Sequence, residues 1–325
     1  MKLAIQLFGH LRSYEQVVPY LKAHVVENFD CDIFIHTWSE EEHSDPSWHK
    51  SPNDEKVKKL TNENKLRALY DPVSLEIEDN TIITYPGYFN ANNNIALRGM
   101  KAMSHSQSRV NRLRKEYAQN NNVEYDLVIV LRPDVMPLAN LDLSQYLDEF
   151  SYCANSTIHF SSGAHQHSQS HKKVATPLAS DLFYIARPDT LDRFFELKDN
   201  NFERFYVEFT KVNKGGISAP EASFLEALTQ SGANPRFYEF PYAVIRTTGS
   251  NHLKANIETI SDFAHTLPLP SYLKDGDGDV DSSFADIFFS KFDNKKLEKV
   301  QKQLTRMKRQ LDSLNLKLQR IKENR

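Results

Sequence analysis

Residues 125–134 read Tyr-Asp-Leu-Val-Ile-Val-Leu-Arg-Pro-Asp. Leu127 to Leu131 form an unbroken apolar run that stops at Arg132-Pro133-Asp134. The run is too short for a globular helix, and its Val and Ile favour extended backbone. It therefore reads as a strand buried on both faces, the kind that lies inside a parallel sheet. Such a strand ends where the polar residues begin. Arg132 and Asp134 then stand at the carboxyl edge, where open α/β sheets bind their ligands. A carboxylate beside a guanidinium there suits a phosphate and a divalent metal. The plainer reading of the same ten residues is a buried strand followed by a chemically silent polar turn.

Upstream, strand and helix patterns alternate. Leu3 to Phe8 is a first strand, and Tyr14 to Asn28 carries the helical stripe Val17, Val18, Leu21, Val25 and Val26. Asp32 to His36 is a second strand, which completes a βαβ opening. Thr37 to Asn53 is a polar loop with Pro46 and Pro52, and Lys56 to Leu69 is helical. Val73 to Glu78 and Thr81 to Thr84 read as short strands. A long helix over Ile95 to Gln119, with Leu97, Met100, Met103, Val110, Leu113 and Tyr117, feeds the buried strand. Downstream, Thr157 to Phe160 and Asp181 to Ala186 are strand-like, Leu191 to Leu197 and Ala219 to Ser231 helical, and Arg236 to Ile245 extended. The fold class is α/β: a mostly parallel sheet flanked by helices, followed by a C-terminal coiled-coil helix.

The chain has 325 residues, 40% hydrophobic, enough to bury a full core. Its formal net charge of −3 argues against a nucleic-acid binder. Two cysteines, Cys31 and Cys153, make no disulfide framework and point to a reducing compartment. No apolar stretch approaches a membrane span, and the opening MKLAIQLFGH alternates like a strand rather than a leader, so the expected location is cytoplasmic. Residues 1–265 form the principal domain, and 266–290, rich in Pro, Gly and Asp, a linker. In 291–325, Leu297, Val300, Leu304, Met307, Leu311, Leu314, Leu318 and Ile321 repeat at alternating spacings of three and four. That is a coiled-coil heptad pattern. With 12 Lys/Arg against 4 Asp/Glu, this basic helix has three readings: a homo-oligomer coil through 297–321, a peripheral contact with an anionic membrane surface, or a helix folded onto its own domain.

The motifs YDLVIVLRPDV, KLAIQLFGHLRSYE and DIFIHTW resemble bacterial glycosyltransferases of the A-type fold (GT-A) found in capsule and surface-polysaccharide loci. The resemblance covers roughly residues 1–250. The usual acidic motif of that fold is Asp-any-Asp; here Arg132-Pro133-Asp134 keeps only the second acid. The resemblance implies a nucleotide-sugar donor, a surface-glycan acceptor such as capsule or lipooligosaccharide, and a divalent metal, manganese or magnesium. Asp134 would hold the metal, with the late His252 as a second ligand. Arg12 and Arg132 would support the diphosphate. Gly9, His36, Thr37 and Trp38, which follow the first two strands, would meet the base and ribose. Glycine permits close backbone approach, and tryptophan can stack. Each also has an ordinary reading as a turn or core residue.

Asp181 and Glu221 are the candidate acceptor-side catalytic acids. Glu221, in the first turn of a helix after Pro220, equally complements the helix dipole. His159, His165, His167 and His171 lie in a Ser- and Gln-rich stretch without cysteine, which reads as a loop over the acceptor rather than a zinc site. Asp275 to Asp281 mimics a calcium loop but has Val280 where glycine is needed. Two rival functions stay open. A sugar-phosphate nucleotidyltransferase would want a glycine-rich basic loop after strand 1, where GHLRSYE has one glycine. A non-catalytic coiled-coil subunit of a polysaccharide-synthesis complex would explain the reduced acidic motif.

Overall fold

The computed structural model describes residues 1–42, 59–87, 97–143, 156–161, 181–208, 220–238, 240, 242–245 and 252–254. The heptad segment, the linker, Cys153, His165, His167 and His171 lie outside these residues. The described strands are β1 (Lys2–Phe8), β2 (Asp30–Trp38), β3 (Ser74–Glu78), β4 (Leu127–Leu131), β5 (Val135–Pro137), β6 (Thr157–Ser161), β7 (Phe183–Ala186), β8 (Asn234–Tyr238), β9 (Tyr242–Val244) and β10 (His252–Lys254). The helices are α1 (Tyr14–His24), α2 (Glu63–Tyr70), α3 (Leu97–Asn121), α4 (Pro188–Asn200) and α5 (Pro220–Gln230). All of them fall in one unit, Met1–Phe263.

Seven strands form the main sheet in the order β3-β2-β1-β4-β7-β6-β8. β1 pairs in parallel with both β2 and β4, and β2 with β3. The expected parallel character therefore holds for four strands. β7 then runs antiparallel to both β4 and β6, and β8 is parallel to β6. A second, three-stranded sheet has the order β10-β9-β5. The strand order reverses direction between β1 and β4, which makes that gap the topological switch point of the sheet.

The alternation of side chains along the central strands divides the core in two. Ala4 and Phe8 of β1, with Val128 and Val130 of β4, face one layer with Met100 and Val110 of α3, Phe194 of α4 and Phe224 of α5. Leu3, Ile5 and Leu7, with Leu127, Ile129 and Leu131, face the other with Val18 and Leu21 of α1, Leu66 and Tyr70 of α2, and Tyr242 and Val244 of β9. Every residue of β4 is buried, as its unbroken apolar run requires.

Several boundaries differ from the sequence reading. The helix expected over Tyr14 to Asn28 breaks after His24 and resumes as a 3-10 turn over Val26–Asn28. The helix expected over Lys56 to Leu69 is seen as α2, which starts at Glu63 because Asn62 caps it by accepting a hydrogen bond from Lys65 N; residues 56–58 lie outside the described residues. Thr81 to Thr84 is not a strand: Asn80–Ile82 is a 3-10 turn capped by Asp79. The single extended segment expected over Arg236 to Ile245 is two strands in different sheets, β8 and β9. α3 differs most. Its buried face carries Ser104, Gln107, Asn111 and Arg114, a polar stripe at spacings of three, four and three.

Candidate active site

Strands β1 to β4 all end at one edge, and most of the sequence-predicted residues collect there. After β1 the backbone turns through two left-handed residues, Gly9 at φ 90° and Arg12 at φ 51°. Glycine takes this conformation freely, and a β-carbon at Gly9 would meet nothing within 4 Å. Arginine adopts it only when its surroundings hold it, and here Arg12 N donates to Glu41 O at 2.8 Å. The bend aims the Arg12 guanidinium across the switch point at Asp134. Nη1 donates to Asp134 Oδ2 at 2.9 Å, and Nε to Glu42 Oε1 at 3.2 Å.

The other partner comes from the turn that ends β4. Val135 N donates to Arg132 O at 3.1 Å, closing a β-turn with Pro133 at its second position. Within it Arg132 reaches forward to Asp134, Nε to Oδ1 at 2.8 Å and Nη2 to Oδ2. Asp134 is fully buried and the two arginines nearly so. Burial lowers the Arg132 guanidinium from its ordinary value, and neighbouring Arg12 lowers it further. Burial pulls Arg12 the same way, but Asp134 and Glu42 outweigh it and leave Arg12 raised. Asp134 therefore works as the counter-ion of two guanidiniums. A divalent cation seated on it would face two fixed positive charges, so this donor set does not fit one. It fits arginines held ready for an anion.

Beyond β1 a second group forms. His36, on β2, is buried; its Nε2 lies 3.2 Å from Glu78 Oε2 on β3, and its Nδ1 2.7 Å from Ser106 Oγ on α3. His105 Nε2 lies 2.6 Å from the same Glu78 oxygen. Burial lowers His36 to about 4, so its imidazole is neutral at physiological pH. Burial pushes Glu78 up, but hydrogen bonds from His105 and His36 outweigh it and hold Glu78 below its ordinary value. Ser106 Oγ also accepts from Gly9 N at 2.7 Å, which ties this group to the turn after β1. Thr37 Oγ1 donates to Gly9 O at 2.9 Å. Trp38 is buried, stacked on His105 at 5.8 Å and edge-on to His36 at 5.1 Å. His36, Thr37 and Trp38 thus spend their side chains on protein partners. They build the floor under Gly9 rather than an exposed surface for a base.

No family model and no curated protein sequence matches this chain.

The remaining predicted residues approach the same edge from the other half of the sheet. β7 runs antiparallel to β4, so Asp181, just before it, falls beside Arg132 and is buried. Its carbonyl accepts from Gln107 Nε2 at 3.3 Å. Behind it, Lys198 of α4 is fully buried, its Nζ donating to Gln107 Oε1 at 2.8 Å and to Ser104 O at 3.3 Å. Burial lowers Lys198 to about 8. Glu221 opens α5. Since Gln230 ends that helix four residues before β8 begins at the opposite edge, Glu221 lies on the carboxyl-edge side of the helix layer. His252 stands in β10 opposite Val244, which stands opposite Val135, the residue after Asp134. Two strand spacings, roughly 10 Å, therefore separate the His252 backbone from that of Val135.

Glu78, His105, Ser106 and Lys198 were not anticipated from sequence. Glu78 stood at the end of an expected strand, and its position at a carboxyl edge was the available signal. His105 and Ser106 fall outside the apolar stripe by which α3 is read. A depression of about 860 Å³ lined by Arg114, Asp126, Leu127, Arg187 and Asp189 opens at the amino ends of the strands, away from these groups.

Proposed function

We propose that the protein is a glycosyltransferase that moves a sugar from a nucleotide-sugar to a bacterial surface-glycan acceptor. One observation carries the reading. Arg12 and Arg132 converge on Asp134 at the switch point between β1 and β4, beneath the open space at Gly9. Two guanidiniums that stay charged at any working pH suit a diphosphate, and Asp134 fixes their orientation.

In the transfer, the bond from the anomeric carbon to the diphosphate oxygen breaks and a bond to the acceptor oxygen forms. Negative charge grows on the departing nucleotide diphosphate. Arg12 and Arg132 stabilise that charge where it develops, and their pre-set positions avoid reorganisation during the step. Asp181, beside Arg132, would orient or deprotonate the acceptor hydroxyl. Asp134 is a positioning residue in this scheme. The basic heptad segment would bring copies of the chain together or set the enzyme on the anionic face of the membrane that carries the acceptor.

A thermal-shift panel of nucleotide diphosphates and nucleotide-sugars, with and without manganese, tests the reading, because a bound nucleotide raises apparent stability by mass action. A nucleotide that stabilises the wild type and fails to stabilise Arg132→Met, followed by release of nucleotide diphosphate from the matching nucleotide-sugar, is the expected result. Release of pyrophosphate from a nucleoside triphosphate and a sugar phosphate would instead indicate a nucleotidyltransferase. Absence of any nucleotide effect at millimolar concentration would overturn the reading.

A further inference from the structure

We propose that His36 Nε2, Glu78 and His105 Nε2 form a binding site for one divalent first-row transition ion of the zinc class, separate from the Arg12–Asp134–Arg132 group. The two ring nitrogens and a carboxylate oxygen lie within 4.8 Å of one another. Both nitrogens close on the same oxygen, at 3.2 and 2.6 Å. Lone pairs do not meet at such distances unless a proton or a cation stands between them. One cation satisfies all three groups together. Metal bonds of about 2.0–2.1 Å to nitrogen and oxygen ask for donors roughly 3.3 Å apart, which small side-chain shifts supply here.

The surroundings of the ligands point the same way. A metal on Nε2 requires the Nδ1–H tautomer of His36, and that proton needs an acceptor. Ser106 Oγ lies 2.7 Å from Nδ1 and 2.7 Å from Gly9 N, and donates its own proton to His36 O at 3.3 Å. The hydroxyl then uses both lone pairs and its proton, and Nε2 is left free for a metal. Trp38, stacked on His105, fixes the orientation of the second ring. Arg109 holds the far side of Glu78, Nη2 to Oε1 at 3.4 Å, while pairing chiefly with Glu76, so Oε2 is the oxygen left to the cation.

His36 is fully buried, whereas Glu78 and His105 are 20% and 28% exposed. The site therefore has a closed side and an entry side, with room for a fourth, exchangeable ligand. Two imidazoles and one carboxylate suit zinc, cobalt or nickel, and give magnesium, which wants oxygen and keeps its waters, little to hold. The ion would join β2, β3 and α3, and through Ser106 would stiffen the turn at Gly9.

Cobalt and zinc titrations of the full-length protein test this. We expect one ion per chain, a cobalt visible absorption band that zinc displaces and millimolar magnesium does not, and a Tm about 5–10 °C higher at a hundredfold excess over Kd. His105→Gln and Glu78→Gln should each weaken binding by at least about tenfold, on the scale of ligand and supporting-partner losses. A His165→Gln/His167→Gln/His171→Gln variant should bind like the wild type. In wild-type protein, long-range proton–nitrogen NMR should report His36 as the Nδ1–H tautomer once zinc is added. Because the NMR experiment needs no variant, a variant that fails to fold leaves the test intact. Binding that survives both ligand substitutions, or is lost in the triple variant, or a His36 that remains Nε2–H with zinc present, would overturn the proposal.

Discussion

Replacing Asp134 with Asn should unfold the switch point from within. The side chain is fully buried and takes hydrogen bonds from Arg12 Nη1, Arg132 Nε and Arg132 Nη2. An amide keeps the shape and removes the charge. Two guanidiniums, each only 13% exposed, then face one another with no counter-ion between them. Breaking a buried pair by removing one partner costs about 3–5 kcal/mol. For a unit of this size that lowers Tm by about 6–20 °C. Arg12 retains Glu42, so removing the second arginine along with the acid should recover most of the loss. Urea unfolding of the wild type, Asp134→Asn and Asp134→Leu/Arg132→Met measures this directly, with the single variant least stable and the double variant between. A single variant within about 1 kcal/mol of the wild type would refute the reasoning, since exposed pairs contribute no more than that. Activity of Asp134→Asn should accordingly be measured at a temperature where unfolding curves show it folded.

Other expectations concern the surroundings. Lys198 has its pKa lowered from 10.5 to about 8 by burial, so the unfolded chain holds that proton more tightly, and stability should rise as pH climbs from 8 toward 10.5. The full effect is about 3 kcal/mol, and Lys198→Met should abolish the slope; parallel stability–pH curves for the two proteins would contradict this. Phe224→Ala empties a buried position ringed by Phe160, Tyr184 and Phe194 and should cost about 3–5 kcal/mol in urea unfolding. Ser106→Ala leaves His36 Nδ1 without its buried partner and should cost about 1–3 kcal/mol, read the same way.

The central sheet was legible because its signal is local. An unbroken apolar run admits few structures, and β4 lies where that run placed it. Arg12 and Asp134 were legible as individual residues at strand ends, but their pairing across 122 residues was not. The direction of β7 left no mark in Asp181 to Ala186, since a short buried strand reads alike both ways. Trp38 was expected to meet a base because it follows the second strand and tryptophan can stack; here it is buried and His105 stacks on it. Glu78 and His105 are 27 residues apart, and His36 and Glu78 are 42 apart, so no spacing rule joins them. The polar stripe of α3 was hidden for a physical reason. Periodicity finds the apolar face of a helix, and a buried polar face is satisfied only by partners that the fold supplies.

Arg132 changes what this edge can bind. The Asp-any-Asp motif expected at this edge would place two acids there, which would hold a cation and through it a diphosphate. Here a guanidinium stands where the first acid would be, and a second one arrives from the strained turn after β1. The edge then offers two guanidiniums, with Asp134 and Glu42 committed to keeping them in place. The His36–Glu78–His105 group lies on the far side of β1, roughly 10 Å away by strand spacing, too far to replace a cation at the diphosphate. On the proposed function, nucleotide diphosphate affinity should be unchanged by added manganese and should fall as salt rises, since the contacts would be charged. Arg132→Asp, which restores two acids, should lose the arginine contact, about 1.5–3 kcal/mol or some ten- to a hundredfold in affinity. Manganese should recover part of that loss in the variant alone. Titration calorimetry of both proteins with and without manganese decides the matter. If manganese tightens wild-type binding tenfold or more, the arginines are not the diphosphate site and Asp134 holds a cation after all.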